Sequence, residues 1–161
     1  MTHLEMLIRK YREDELFRRL TVGSPTWSEM VAEAIMKDRT GVDHRMTSHG
    51  SASIDLVAAD GRHVQVKTVG TRGSLAAIRR GRDTAPEIMV IATFGDAPRF
   101  FLVPMEAFKE RSAIYDYPHR DHYSWEISGS RIAKGVLDAY EITPSVDLRA
   151  CIVAKGRATA P

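Results

Sequence analysis

Five consecutive apolar residues, Ile88-Met89-Val90-Ile91-Ala92, have the length of a strand and carry no polar partner on either alternating face. A strand of that kind is stable only where both of its faces are covered, which places it in the middle of a sheet with layers above and below. The chain is thereby directed to an α/β architecture with a mixed sheet flanked by helices. Gly95-Asp96-Ala97-Pro98 then turns the backbone into a second apolar segment, Phe100-Phe101-Leu102-Val103.

Before this run the periodicity is helical. Leu4, Leu7, Ile8 and Tyr11, followed by Phe17 and Leu20, predict one amphipathic helix over 3–20, supported by the i,i+4 pairs Glu5/Arg9, Asp14/Arg18 and Glu15/Arg19. Gly23-Ser24-Pro25 reads as a stop, an N-cap and a first helical turn, so a second helix is expected over about 25–38. After Pro104 a short helix, a Tyr/His-rich loop around 115–123, a strand near Ser124–Ile127 and a last strand near Leu148–Ala154 complete the reading. A length of 161 residues suits a single domain, with a core over about 24–103 and a C-terminal elaboration over 104–155.

Between the helices and the central strand, Ser53-Ile54-Asp55-Leu56-Val57-Ala58 and His63-Val64-Gln65-Val66-Lys67-Thr68 flank Asp60-Gly61, the signature of a β-hairpin. A two-residue turn would set Asp55 opposite Val66 and mix polar with apolar residues on each face. A three-residue Ala59-Asp60-Gly61 loop, with Gly61 in the left-handed position of a G1 bulge, sets Leu56 opposite Val64 and Asp55 opposite Gln65. Ile54, Leu56, Ala58, Val64 and Val66 then share a core face, while Asp55, Gln65 and Lys67 gather on the other. A carboxylate and an amide oxygen are ligands for a hard cation such as Mg²⁺, and a neighbouring lysine orients water and offsets phosphate charge. The segment 70–86, with Leu75, Ala76, Ala77 and Ile78 among arginines, is long enough for a crossover helix.

Ile54-Asp55, nine intervening residues and Gln65-Val66-Lys67 resemble the signature of the PD-(D/E)XK nuclease superfamily, and the wording is similar to that of small junction-resolvase-type nucleases. The resemblance spans about residues 24–103. It implies a restriction-endonuclease-like core of helix, strand hairpin, crossover helix and central strand, and a metal-dependent endonuclease using Mg²⁺ or Mn²⁺. Asp55 and Gln65 would be metal ligands, Lys67 the catalytic lysine, and Glu29 on the preceding helix a further catalytic and metal-binding acid, with Glu33 one turn on in reserve. Thr26-x-x-Glu29 also fits a capping box. Ile54 stands where the superfamily has proline, and Gln65 where it has an acid. A neutral amide holds a dication less strongly than a carboxylate.

Nucleic acid is the implied partner, DNA ahead of RNA, and a homodimer is implied by resemblance. Ser51, Ser53, Arg72, Arg79, Arg80 and Arg82, with Arg62, Ser48 and His49, are the candidate contacts to a phosphate backbone. A net charge of +2 neither requires nor excludes such a partner. His119-Arg-Asp-His122 reads as a surface loop, Trp125 and Tyr123 as packing aromatics, and the lone Cys151 as a core residue. No apolar run is long enough to span a bilayer, and the first residues lack a signal-peptide core, so no membrane association and a cytoplasmic location are expected. The competing reading is a catalytically inactive nucleic-acid-binding or protein-interaction module on the same fold.

Overall fold

The structure is a computed structural model and describes residues 1–21, 25–47, 55–77, 85–94, 98–120 and 122–145. The expected strand over 148–154, Cys151 and the Ser24 cap lie outside these residues. The amphipathic N-terminal segment forms two helices, α1 (His3–Glu13) and α2 (Glu15–Thr21), rather than one. Asp14 breaks it: its backbone is extended, and its Oδ1 accepts a bond from Phe17 N at 2.9 Å. A short carboxylate competes for backbone donors and so favours caps over helix interiors. The ion pairs differ accordingly. Glu5 closes a capping box with Thr2 instead of pairing with Arg9, which bonds Glu13 at 2.9 Å, while Lys10 bonds Asp14 at 2.6 Å.

Helix α3 (Pro25–Thr40) begins at proline, as the punctuation predicts. Tyr11 and Phe17 pack against its Trp27, the first ring tilted and the second edge-on, with centroids 5.4 and 5.9 Å away. Asp38 at its far end accepts bonds from His3 N and Leu4 N, tying the start of α1 to the last turns of α3.

The principal sheet has six strands, in spatial order β1 (His44–Met46), β2 (Leu56–Ala58), β3 (His63–Val69), β5 (Glu87–Ala92), β6 (Arg99–Pro104) and β9 (Glu141–Ile142). Among the described residues of this sheet, only β3 and β5 run parallel. Met89 and Ile91 of β5 enter one core with Trp27, Val31, Ile35, Val64 and Val66. Ile88, Val90 and Ala92 enter a second core with Val69, Phe101, Val103 and Phe108. The continuous apolar run is therefore covered on both faces, as its composition demands.

The segment joining β3 to β5 departs from expectation. Residues 74–77 form a strand, β4, not the start of a crossover helix, and pair with β8 (His122–Ser128) in a second sheet. Once paired, it alternates as a strand does, with Ser74 exposed, Leu75 buried and Ala76 exposed. The expected loop after 115 contains the other edge of that sheet, β7 (Ala113–Tyr117), in which every residue is exposed. Helices α4 (Met105–Arg111) and α5 (Gly129–Ala133) contribute Met105, Phe108 and Ile132 to the second core.

Gly129 locks the two sheets together. Its N–H donates to Gly73 O at 2.8 Å, and a Cβ built on it would lie 2.0 Å from Gly70 O. Backbone cannot yield as a flexible side chain can. Gly129→Ala is therefore expected to destabilise the protein by about 3 kcal/mol, seen in thermal unfolding as a fall of roughly 6–12 °C in Tm.

Candidate metal centre on the β2–β3 hairpin

The hairpin closes through Ala59-Asp60-Gly61, with Gly61 at φ +85°, a conformation open to glycine and strained for other residues. Ala58 N donates to Arg62 O at 2.8 Å and Gly61 N to Ala58 O at 2.9 Å. Asp60 grips Arg62 through backbone and side chain, at 3.2 and 2.8 Å. The register is Leu56↔Val64 and Val57↔His63, the one that separates polar from apolar faces.

One residue further, the ladder changes. Asp55 N donates to Val64 O at 3.1 Å, although Val64 is already the partner of Leu56. Two residues of one strand facing one residue of the other is the count of a β-bulge. The Asp55 carbonyl accepts from Thr47 N at 2.9 Å, and Asp55 Oδ2 accepts from Val66 N at 2.6 Å. Simple cross-strand pairing of Asp55 with Gln65 is thus replaced by the bulge, with the carboxylate bonded to the N–H of the Gln65–Val66 peptide. Sequence reasoning missed the bulge; an Asp at a strand start, short enough to bond nearby backbone, is the signal that marks such places.

Gln65 and Lys67 share the face opposite Val64 and Val66, lying beside Ile88 and Val90 of β5. Lys67 is half-buried. Gln65 is 3% exposed, and its Oε1 accepts no hydrogen bond among the described residues. Burying an unpaired amide oxygen costs about 1–3 kcal/mol. An acceptor left in that condition fits a bound cation, and Asp55 and Gln65 carry the kind of oxygen donors that Mg²⁺ and Mn²⁺ prefer.

The helix acids are placed differently. Ser28 of α3 accepts a 2.9 Å bond from Thr68 Oγ1, and Trp27 and Val31 pack with Val64 and Val66. Helix α3 therefore covers the opposite face of β3 from Gln65 and Lys67, and the structure does not gather the half-buried Glu29 with them. Glu33 is also half-buried; burial pushes its carboxyl above the ordinary 4.5, offset in part by attraction to His3 and His44. His44 itself is 5% exposed, its Nδ1 bonded to Val42 O at 2.9 Å. Glu33 thus belongs to the α3–β1 seam and is not a reserve for the hairpin site.

A raised folded pKa means that the native state binds this proton more tightly than the unfolded chain. The resulting stability is complete below about 4.5 and is lost as pH rises through the folded value. Glu33→Gln is therefore expected to raise Tm near neutral pH, with the gain vanishing in acid; melting curves across pH check this.

Of the candidate phosphate contacts, Arg72 is exposed on the Gly70–Gly73 turn at the end of β3, closed by a 3.0 Å bond from Gly73 N to Gly70 O. Ser51, Ser53, Arg79, Arg80 and Arg82, with Ser48 and His49, lie outside the described residues. His119 is exposed on a 3-10 turn, Pro118–Arg120. Trp125 packs against the second core, 5.0 Å from the Tyr123 ring and 5.3 Å from Lys109 Nζ. Among the described residues no three His, Cys, Asp or Glu side chains gather as a metal site, and no helix is long and apolar enough to cross a membrane.

The fold is thus a mixed α/β arrangement with a polar hairpin face at its sheet. No family model and no curated protein matches the sequence. Among solved structures, Hjc of Archaeoglobus fulgidus, a Holliday junction resolvase from an archaeal hyperthermophile, aligns over 92% of this chain and 99% of its own at 12% identity, with a TM-score of 0.31. A likeness that loose fixes neither the details of the fold nor an activity.

Proposed function

We propose that the chain is a metal-dependent nuclease that hydrolyses phosphodiester bonds, with Asp55 and Gln65 as ligands for Mg²⁺ or Mn²⁺ and Lys67 as the catalytic lysine. The observation that carries this reading is the buried Oε1 of Gln65, which has no hydrogen-bond partner among the described residues, on the face it shares with Lys67. The sequence resemblance to PD-(D/E)XK nucleases supports it independently. When bound, the cation supplies Lewis acidity toward a phosphate oxygen. The chain's own groups do the rest. Val66 N–H fixes the Asp55 carboxylate, Gln65 presents its amide oxygen, and the Lys67 ammonium offsets charge on the nonbridging oxygens as water adds to phosphorus and the leaving oxygen departs. Glu29 would complete the ligand set only by reaching around β3. Arg72 and the basic segment after it would hold the backbone of DNA, ahead of RNA, and a homodimer belongs to the same proposal.

One observation favours the second reading, an inactive nucleic-acid-binding or protein-interaction module: Asp55 already serves the backbone, and an amide stands where an acid is usual. Incubation with plasmid, single-stranded DNA and RNA in Mg²⁺, Mn²⁺ or EDTA separates the two. The nuclease gives products with metal and none with EDTA. Salt-sensitive binding without cleavage in either metal establishes the module instead.

A further inference from the structure

We infer that the β7 edge of the second sheet takes an extended segment of a partner protein as an added strand, with a lysine of that segment opposite Ala113 and its ammonium at Glu126. Nothing in this depends on the nuclease reading. Among the described residues β7 is an edge of its sheet, and all five of its side chains are exposed, Ile114 at 65% and Tyr115 at 49%. An exposed edge bearing apolar side chains is a template for another strand, and extended peptides are commonly recognised in that way.

The register gives this edge a chemical preference. Glu126 of β8 stands between Ala113 of β7 and Ala76 of β4, both exposed, so its cross-strand neighbours are small on either side. Tyr117 is opposite His122, yet its hydroxyl runs back along the sheet to donate to Glu126 Oε1 at 2.8 Å. Ser124 Oγ, in a residue only 4% exposed, donates to the same oxygen at 2.5 Å. The bond to Glu126 holds the Tyr117 hydroxyl above the usual tyrosine range, which keeps it a donor. Two hydroxyls fill the lone pairs of Oε1. Oε2 meets Ser74 Oγ at 3.5 Å, the outer limit of a hydrogen bond. The half-buried carboxylate is therefore aimed through one oxygen and lightly held at the other.

A cation is the complement of this face. Tyr115 and Tyr117 follow Ala113 at intervals of two, which brings their electron-rich rings to the same side of the sheet as Glu126. A residue opposite Ala113 on an added strand would be two strand spacings, about 10 Å, from Glu126. A lysine and a glutamate side chain reaching toward each other across the alanine span that gap. An ammonium needs one acceptor and suits Oε2, whereas the arginine fork needs two parallel oxygens. A nucleic-acid phosphate would meet Glu126 with like charge. A second copy of β7, Ala-Ile-Tyr-Asp-Tyr, brings an aspartate and no cation.

The probe is an acetylated and amidated heptapeptide, a central lysine flanked by valines, then threonines, then serines, titrated into the isotope-labelled protein. Backbone amide resonances of Ala113 to Tyr117 are expected to shift saturably by about 2 mM peptide. Norleucine in place of the lysine, or Glu126→Gln in the protein, should weaken binding about five- to thirtyfold. The arginine peptide should bind less tightly than the lysine one. Norleucine binding as well as lysine, arginine binding as tightly or more so, shifts centred elsewhere, or none by that concentration overturns the inference. So does movement of the same amides with protein concentration alone, which gives the edge to a second copy, or with an oligonucleotide, which gives it to nucleic acid. The peptide comparison on the wild type decides the matter even if Glu126→Gln does not fold.

Discussion

Replacing Lys67 by alanine is expected to lower metal-dependent cleavage by roughly two to four orders of magnitude, with little change in the fold. Lys67 is half-buried on β3, on the same side as the Gln65 amide, and in the proposed reaction its ammonium meets the phosphate charge as it builds up. Charge stabilisation in such a place is worth far more than in bulk water. Because its face neighbours Val90 in the second core, some loss of packing accompanies the truncation. Lys67→Met keeps most of that packing and removes only the charge. Both variants should lose activity alike, measured as single-turnover rates in Mn²⁺, and only the alanine variant should melt earlier.

Asp55 should show the second large effect, in two separable parts. Asp55→Ala removes both the proposed cation ligand and the acceptor for Val66 N, leaving a partly buried donor unmatched. A loss of activity comparable to that at Lys67 and a destabilisation of about 1–3 kcal/mol are expected together. Asp55→Asn keeps an oxygen for Val66 N but removes the negative charge. It should therefore keep most of the stability and lose the activity. Equal stability losses in the two variants with activity intact would make Asp55 a backbone clamp and nothing more.

Much of this arrangement is legible in the sequence because it follows from alternation. Ile88 to Ala92 required cover on both faces, and two cores supply it. The demand that Leu56 and Val64 share a face chose the three-residue loop and the positive φ of Gly61. What escaped depends on contacts that periodicity does not report. Asp14 divides the first helix because its carboxylate finds Phe17 N, and Asp55 leaves the ladder because its carboxylate finds Val66 N. Leu75-Ala76-Ala77 is too short and too alanine-rich to announce a strand, and it becomes one only because β8 is there to pair with it. Glu29 was assigned by its place in a motif, and motif spacing along a helix does not state which face of the sheet that helix covers.

The account turns on whether a divalent cation binds the hairpin at Asp55 and Gln65, and paramagnetic broadening of backbone amide resonances by Mn²⁺ in the nucleic-acid complex reports its position directly. Broadening centred on Asp55, Gln65, Val66 and Lys67, and lost in Asp55→Asn, is the predicted result. Broadening centred elsewhere, or unchanged by that substitution, would contradict it.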